Sequence, residues 1–158
     1  PYYCEPHLVE TPSGKLVTHI RFEPEMYLPK GEHLSSKRYI EWGIHQSESV
    51  DGGQTWTQAR KTPIFGWPPH LIRLSNGSTL VTYGWRKEPF GQRACLSQDE
   101  GFTWEIENEF VLRDDAPNGD LGYPATIELE PGELLTVYYQ VEVKGEKPCI
   151  MATRWSLV

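Results

Sequence analysis

Three stretches of the chain share one pattern of apolar and polar positions: HLVETPSGKLVTHIR (7–21), HLIRLSNGSTLVTYGWR (70–86) and ATIELEPGELLTVYYQ (125–140). Each opens on a short alternating apolar run and reaches a glycine seven residues later, at Gly14, Gly77 and Gly132. Each then continues into a second β-rich run. Period-two alternation around a glycine is the signature of a β-hairpin, so three hairpins are expected. The Gly-to-Gly intervals of 63 and 55 residues leave room for further strands between them. In the first interval, residues 39–48 lead into SVDGGQTW (49–56) and TWTQAR leaves it; in the second, residues 92–97 lead into SQDEGFTW (97–104) and TWEIENEF leaves it. The predicted unit is four antiparallel strands repeated at roughly 50 residues, the pattern of a β-propeller blade. Residues 148–157 supply a third strand to the last unit, and the chain then stops. The expectation is an all-β chain of eleven strands in three blades: 1–61, 62–112 and an incomplete 113–158.

The two octapeptides align as Ser-x-Asp-x-Gly-x-Thr-Trp, 48 positions apart. The motif has a structural use for each residue. Asp51 and Asp99 can accept backbone N–H bonds and lock a tight loop. Gly53 and Gly101 can take positive φ. Trp56 and Trp104 offer flat faces that clamp the turn to the strand beneath. Asp51 and Asp99 are therefore read as latch residues and not as catalysts.

Composition agrees with strands and turns: the 158 residues include six Trp, eight Tyr, 14 Gly and 13 Pro. The net charge of −7 argues against a general nucleic-acid or acidic-membrane binder, although a few arginines can dominate one pocket. No apolar stretch approaches the ~20 residues of a membrane helix. Cys4, Cys95 and Cys149 lack metal-ligand spacing and are expected as buried free thiols; no metal and no cofactor are implied. The compartment cannot be read from a chain without an initiator Met. Three blades would leave large apolar faces unburied and the last strand as a bare edge. The chain thus reads as half of a propeller, completed by an N-terminal half, by a second copy in a homodimer, or by a rearranged closure.

With these motifs placed, the chain resembles the Asp-box (BNR-repeat) sialidase superfamily of six-bladed propellers, in particular the C-terminal half of bacterial sialidase-like proteins. The resemblance spans nearly the whole chain. It implies a glycoside hydrolase acting on a terminal sugar, incomplete on its own, with carbohydrate as its partner; a non-catalytic carbohydrate-binding or scaffold propeller is the alternative. In that family a Tyr attacks, a Glu activates it, an Asp is the acid/base, and three arginines hold the sugar carboxylate. Tyr123 in GYPATIEL resembles the nucleophile. Glu5 in YCEPHL and Arg21, sixteen residues on, resemble the Glu and second Arg, and Arg93 the third Arg. The first Arg and the Asp would belong to preceding blades. Arg86 is a secondary candidate. His7 and His70, at equivalent positions of two repeats, are either satisfied by backbone carbonyls or placed to bond sugar hydroxyls. A neutral Tyr is a reasonable nucleophile toward an anionic sugar, which repels a carboxylate, and Arg pairs with a carboxylate bidentately. Two departures stand out. Pro124 follows Tyr123 where the family has Ser. Asp114, Asp115 and Asp120 form an acidic loop close to Tyr123, which opposes an anionic sugar and leaves another glycoside open, with Asp120 a candidate substrate-binding residue. Trp42, Trp67 and Trp85 are read as core, and Arg154 as structural.

Overall fold

The computed structural model describes residues 2–24 and 42–157. Within them the chain is all-β, built as three antiparallel sheets. The first sheet is β1 (Tyr2–Glu10), β2 (Leu16–Glu23), β3 (Gly43–Ser49) and β4 (Arg60–Lys61). The second is β5 (Pro69–Arg73), β6 (Thr79–Trp85), β7 (Phe90–Ser97) and β8 (Phe110–Ala116). The third has β9 (Leu121–Glu130), β10 (Glu133–Gln140) and β11 (Cys149–Ser156), with β10 in the middle.

The three predicted hairpins form where the glycines place them. Gly14, Gly77 and Gly132 have φ of 82°, 89° and 79°, a left-handed conformation that glycine enters without a Cβ clash. Register follows from the turns: Glu10 faces Leu16 and Arg73 faces Thr79. The strands leaving the Asp turns differ from expectation. TWTQAR reaches a strand only at its last residue, Arg60, which with Lys61 forms the two-residue β4 against Gln46 and His45. In TWEIENEF the chain first makes a 3₁₀ turn at Ile106–Asn108, and β8 begins at Phe110. After each latch the chain makes one backbone bond to the preceding strand, Thr57 N–H to Glu48 O and Glu105 N–H to Leu96 O, before it departs from the ladder. The third strand of the first sheet was expected from residue 39; residues 39–41 lie outside the described residues. Of the cysteines, Cys95 is buried, but Cys4 is half-buried and Cys149 is exposed on the edge strand β11, so the expectation of three buried thiols is corrected.

Both Asp turns are built identically. Ser49 Oγ donates to Asp51 Oδ1 at 2.7 Å, and the N–H of Thr55 donates to the same oxygen at 2.9 Å. Ser97, Asp99 and Thr103 repeat this at 2.8 and 2.8 Å. In each turn the glycine N–H reaches back to the serine Oγ. The tryptophans then diverge. Trp104 crosses into the first sheet, where its indole N–H donates to Gln46 Oε1 at 2.9 Å and its ring meets His19 at 4.6 Å. Trp56 remains 42% exposed, its N–H turned onto Gly53 O. The difference is one of neighbours: the second turn has the first sheet beneath it, and within the described residues the first turn has none.

The sheets share no ladder, so side chains join them. Val9, Val17 and Ile44 of the first sheet pack on Leu71, Val81, Tyr83 and Cys95 of the second, around Trp104. A second core joins Leu74, Leu80 and Ala94 to Leu134 of the third sheet, with Trp155 against Phe110. Full burial of each large aliphatic is worth about 1.5–3 kcal/mol. Polar clips add direction. Glu100 accepts from Ser13 N–H at 3.0 Å and from Thr11 Oγ1 at 3.1 Å. His7 Nδ1 accepts the Leu71 N–H at 3.0 Å, and His70 Nδ1 accepts the Thr126 N–H at 3.3 Å. These last two are one contact used twice, since Leu71 follows His70 and Thr126 follows Ala125, the residue at the His position of the third repeat. The histidines thus meet backbone N–H groups, not the carbonyls expected.

Two outcomes are expected. Trp104→Ala should cost about 3–5 kcal/mol in chemical unfolding, because it opens a cavity and removes one of the two bonds to Gln46 Oε1, whereas Trp56→Ala should cost under about 2 kcal/mol; equal losses would contradict the asymmetry. Burial lowers the pKa of His7, of His70 to about 4 and of His19 to about 3. The unfolded chain therefore binds protons that the folded chain refuses below about pH 6.5. Stability is full above that pH and falls as the pH drops toward 4, a trend that urea midpoints across this window would reveal or refute.

Candidate functional site

The first strands of the three sheets lie side by side, and the repeat puts Glu5-Pro6, Pro68-Pro69 and Tyr123-Pro124 at equivalent places, each starting nine residues before a turn glycine. The strands are irregular there. The β1–β2 register shifts between Cys4 and His7, and the β9–β10 register shifts between Val137 and Tyr139. Glu5 and Tyr123 both sit in the left-handed region, at φ of 50° and 51°. That conformation costs a non-glycine residue about 1–3 kcal/mol and persists only where the surroundings enforce it. Its effect is to swing two side chains from non-adjacent sheets onto each other.

Tyr123 Oη donates to Glu5 Oε1 in a short hydrogen bond. The other carboxylate oxygen, Oε2, accepts from Arg21 Nη1 at 3.0 Å, while Arg21 Nη2 pairs with Glu23. The guanidinium also lies 5.5 Å from the centre of the Trp67 ring. The Tyr123 hydroxyl is pushed up to about 12, first by its bond to Glu5 and then by burial, against the opposing charges of Arg21 and Arg86. The proton is thus held firmly, with a carboxylate aligned to take it.

Next to this couple is a cleft of about 320 Å³, walled by Pro6, Pro68, Pro69 and Pro124 and lined by His7 and His70. The two imidazoles are stacked with centres 4.1 Å apart. A larger cleft of about 770 Å³ lies at the far end of the strands, among turn residues such as Ser75 and Asn76. There Ser75 Oγ donates to Glu128 Oε1 at 3.0 Å, and Glu128 also accepts the N–H groups of Ser75 and Gly132, so this pair ties two turns together.

Of the sequence candidates, the structure brings together Glu5, Arg21 and Tyr123, with His7 and His70 beside them. Arg93 stands apart: it pairs with Glu109 at 2.6 Å and lies 4.0 Å from the Trp85 ring centre. Glu109 also accepts from the Tyr83 hydroxyl. Glu109 was missed in the sequence because its strand was expected to begin earlier. Arg86 lies just past β6, donating to Leu121 O at 2.7 Å and reaching Tyr139 Oη at 3.4 Å. Counted from the turn glycine, the true counterparts of Arg21 are Gly84 and Tyr139, so Arg86 does not share its phase. Asp115 is held by Arg113 at 2.8 Å and by Gln140, which neutralises part of the acidic loop. Asp120 acts on Tyr139. Trp67 and Trp85 form a cluster with Phe65, at 5.0 and 5.4 Å, and Arg154 faces Glu133. Among the described residues no three His, Cys, Asp or Glu side chains converge as a metal site.

No family model and no curated protein sequence matches the chain. Solved structures do. A protein of unknown function from Dyadobacter fermentans is similar at 30% identity and a TM-score of 0.73, over 97% of this chain and 37% of that one. The Hadza microbial sialidase Hz136 is similar at 18% identity and a TM-score of 0.65, over 96% of this chain and 31% of that one. The α-L-arabinanase of Penicillium chrysogenum, complexed with arabinobiose, is similar at 16% identity and a TM-score of 0.61, over 96% and 46%. The chain spans less than half the length of each. These likenesses show a sialidase-like, propeller-like fold of the kind glycoside hydrolases use.

One measurement isolates the couple. In Glu5→Gln the acceptor charge is gone, so the Tyr123 hydroxyl should titrate nearer the ordinary ~10 of tyrosine than in the parent protein. Ultraviolet titration of parent and variant reads this directly, with Tyr123→Phe identifying the component; an unmoved transition would contradict the contact.

Proposed function

We propose that this chain is the C-terminal half of a sialidase-like, six-bladed Asp-box propeller, its three sheets being consecutive blades, and that Tyr123 and Glu5 are the nucleophile and base of a glycoside hydrolase. The observation that carries the reading is the Tyr123–Glu5 hydrogen bond. It joins two residues 118 positions apart, both held in a strained backbone conformation at the mouth of a cleft. Strain of that kind concentrates at working sites.

The chemistry follows from the geometry. Tyr123 Oη attacks the anomeric carbon and its proton passes to Glu5 Oε1. The bond from that carbon to the leaving oxygen breaks, and the leaving oxygen takes a proton from an acid. Water then attacks the anomeric carbon and gives its proton to the spent acid, the glycosyl–tyrosine bond breaks, and Glu5 returns its proton to Tyr123 Oη. Arg21 holds Glu5 in place for the transfer through its bond to Oε2. By the family pattern the acid and a further Arg would come from preceding blades, so the 158-residue chain should be inactive alone. Half a propeller also accounts for the apolar outer faces of the first and third sheets, where Leu8 is 50% and Ile127 56% exposed.

The test is turnover of aryl glycosides. The isolated chain is expected to show none. In a longer chain carrying the preceding blades, Tyr123→Phe should lower kcat by about 10³-fold or more and Glu5→Gln by about 10²–10⁴-fold. Turnover that Tyr123→Phe leaves intact would remove the assignment. Sugar binding with no turnover in the longer chain would favour a carbohydrate-binding role.

A further inference from the structure

The cleft contains two hydrogen-bond donors that the Tyr123–Glu5 chemistry does not use. A neutral imidazole carries its proton on one nitrogen and accepts on the other. Nδ1 of His7 and Nδ1 of His70 each accept a backbone N–H, from Leu71 and Thr126. The proton of each ring is therefore on Nε2. Both rings line the cleft, and no hydrogen bond to another described residue holds either Nε2. Burial keeps both imidazoles uncharged near neutral pH, His70 having its pKa lowered to about 4.

The rest of the cleft has little to offer a charged ligand. Its walls are proline rings, which present C–H surface and no N–H. Its one carboxylate is Glu5. The guanidinium of Arg21 is already shared between Glu5 and Glu23, and that of Arg93 lies on Glu109. An anionic sugar entering here would meet Glu5, with Arg21 and Arg93 paired to protein carboxylates and Arg86 turned onto the Leu121 carbonyl. A neutral ring has what it needs: apolar contact on one face and two fixed donors for its oxygens.

The geometry points to an uncharged glycoside as the occupant of this cleft, its C–H face on Pro6, Pro69 and Pro124 and its hydroxyl or ring oxygens accepting from Nε2–H of His7 and His70. This deepens the hydrolase reading, and rests on it only in placing the reacting carbon at Tyr123. It narrows the substrate class from terminal sugars in general to those without a carboxylate.

The substitution His→Asn separates the two faces of each ring, because the Asn Oδ1 can still accept the backbone N–H while the Nε2–H donor is lost. The 158-residue chain and its His7→Asn and His70→Asn variants are titrated with methyl glycosides of neutral pentoses and hexoses and with the methyl glycoside of N-acetylneuraminic acid, followed by ligand-observed NMR. A neutral glycoside should bind, each substitution should weaken it by about 3- to 10-fold, the worth of one hydrogen bond, and the sialoside should bind more weakly. Binding of the sialoside in preference, or of no glycoside, overturns the inference, and the first of these leaves the hydrolase reading standing. Equal affinities in both folded variants overturn the donor roles. Should a variant fail to fold, ¹⁵N-histidine spectra of the parent decide. Nε2–H tautomers whose Nε2 signals move on sugar addition support the site, and Nδ1–H tautomers or unmoved signals refute it. Histidine-dependent binding without Tyr123-dependent turnover in the longer chain would uphold the cleft and reject the catalysis.

Discussion

Sheets that share no backbone ladder can slide on one another, since apolar packing has little directionality. In this protein polar clips oppose the sliding, and at the end of the strands that holds Glu5 and Tyr123 the clip is an imidazole nitrogen meeting a backbone amide of the next sheet, once at His7–Leu71 and again at His70–Thr126. The geometry of the Tyr123–Glu5 couple leans on that restraint. Glu5 lies two residues before His7 and Tyr123 two before Ala125, so a shift of one residue between sheets would part the hydroxyl from the carboxylate. The same contact fixes the histidine tautomers and thereby decides which atoms face the cleft. Register, site geometry and hydrogen-bond polarity come from one interaction repeated.

Much of the fold was legible because it is periodic. Gly14, Gly77 and Gly132 mark hairpins, and the Ser-x-Asp-x-Gly-x-Thr-Trp motifs mark latches, since each depends on contacts within a few residues. The latches keep their internal bonds even where Trp56 and Trp104 have different surroundings. The path after each latch was harder to read. TWEIENEF has strand-like alternation, yet Trp104 is drawn into the first sheet and the backbone turns through a 3₁₀ segment before Phe110. That outcome is decided by a sheet some 60 residues earlier in the chain, at Gln46.

The site was legible in the same uneven way. Glu5, Arg21 and Tyr123 stand at hairpin positions related by the repeat, so counting from the glycines brings them to one end. Nothing local announces that Glu5 and Tyr123 adopt left-handed backbone, because each precedes a proline, which would ordinarily favour extended geometry. Arg93 illustrates the opposite failure. Its strand position suggested a pocket, but its charge is absorbed by Glu109, a residue whose location depended on where β8 began. Charge partners across a sheet are the part of such a site that spacing alone conveys least.

The outer faces of the first and third sheets have a bearing on behaviour in solution. Leu8 is 50% exposed and Ile150 76%, while the chain as a whole bears a net charge of −7. Mutual repulsion between like-charged molecules holds such faces apart when the ionic strength is low. As the screening length shrinks toward about 3 Å near 1 M salt, that repulsion fades and the attraction between oily surfaces does not. The degree of association should therefore be governed by salt concentration, with dilute buffer keeping the molecules separate.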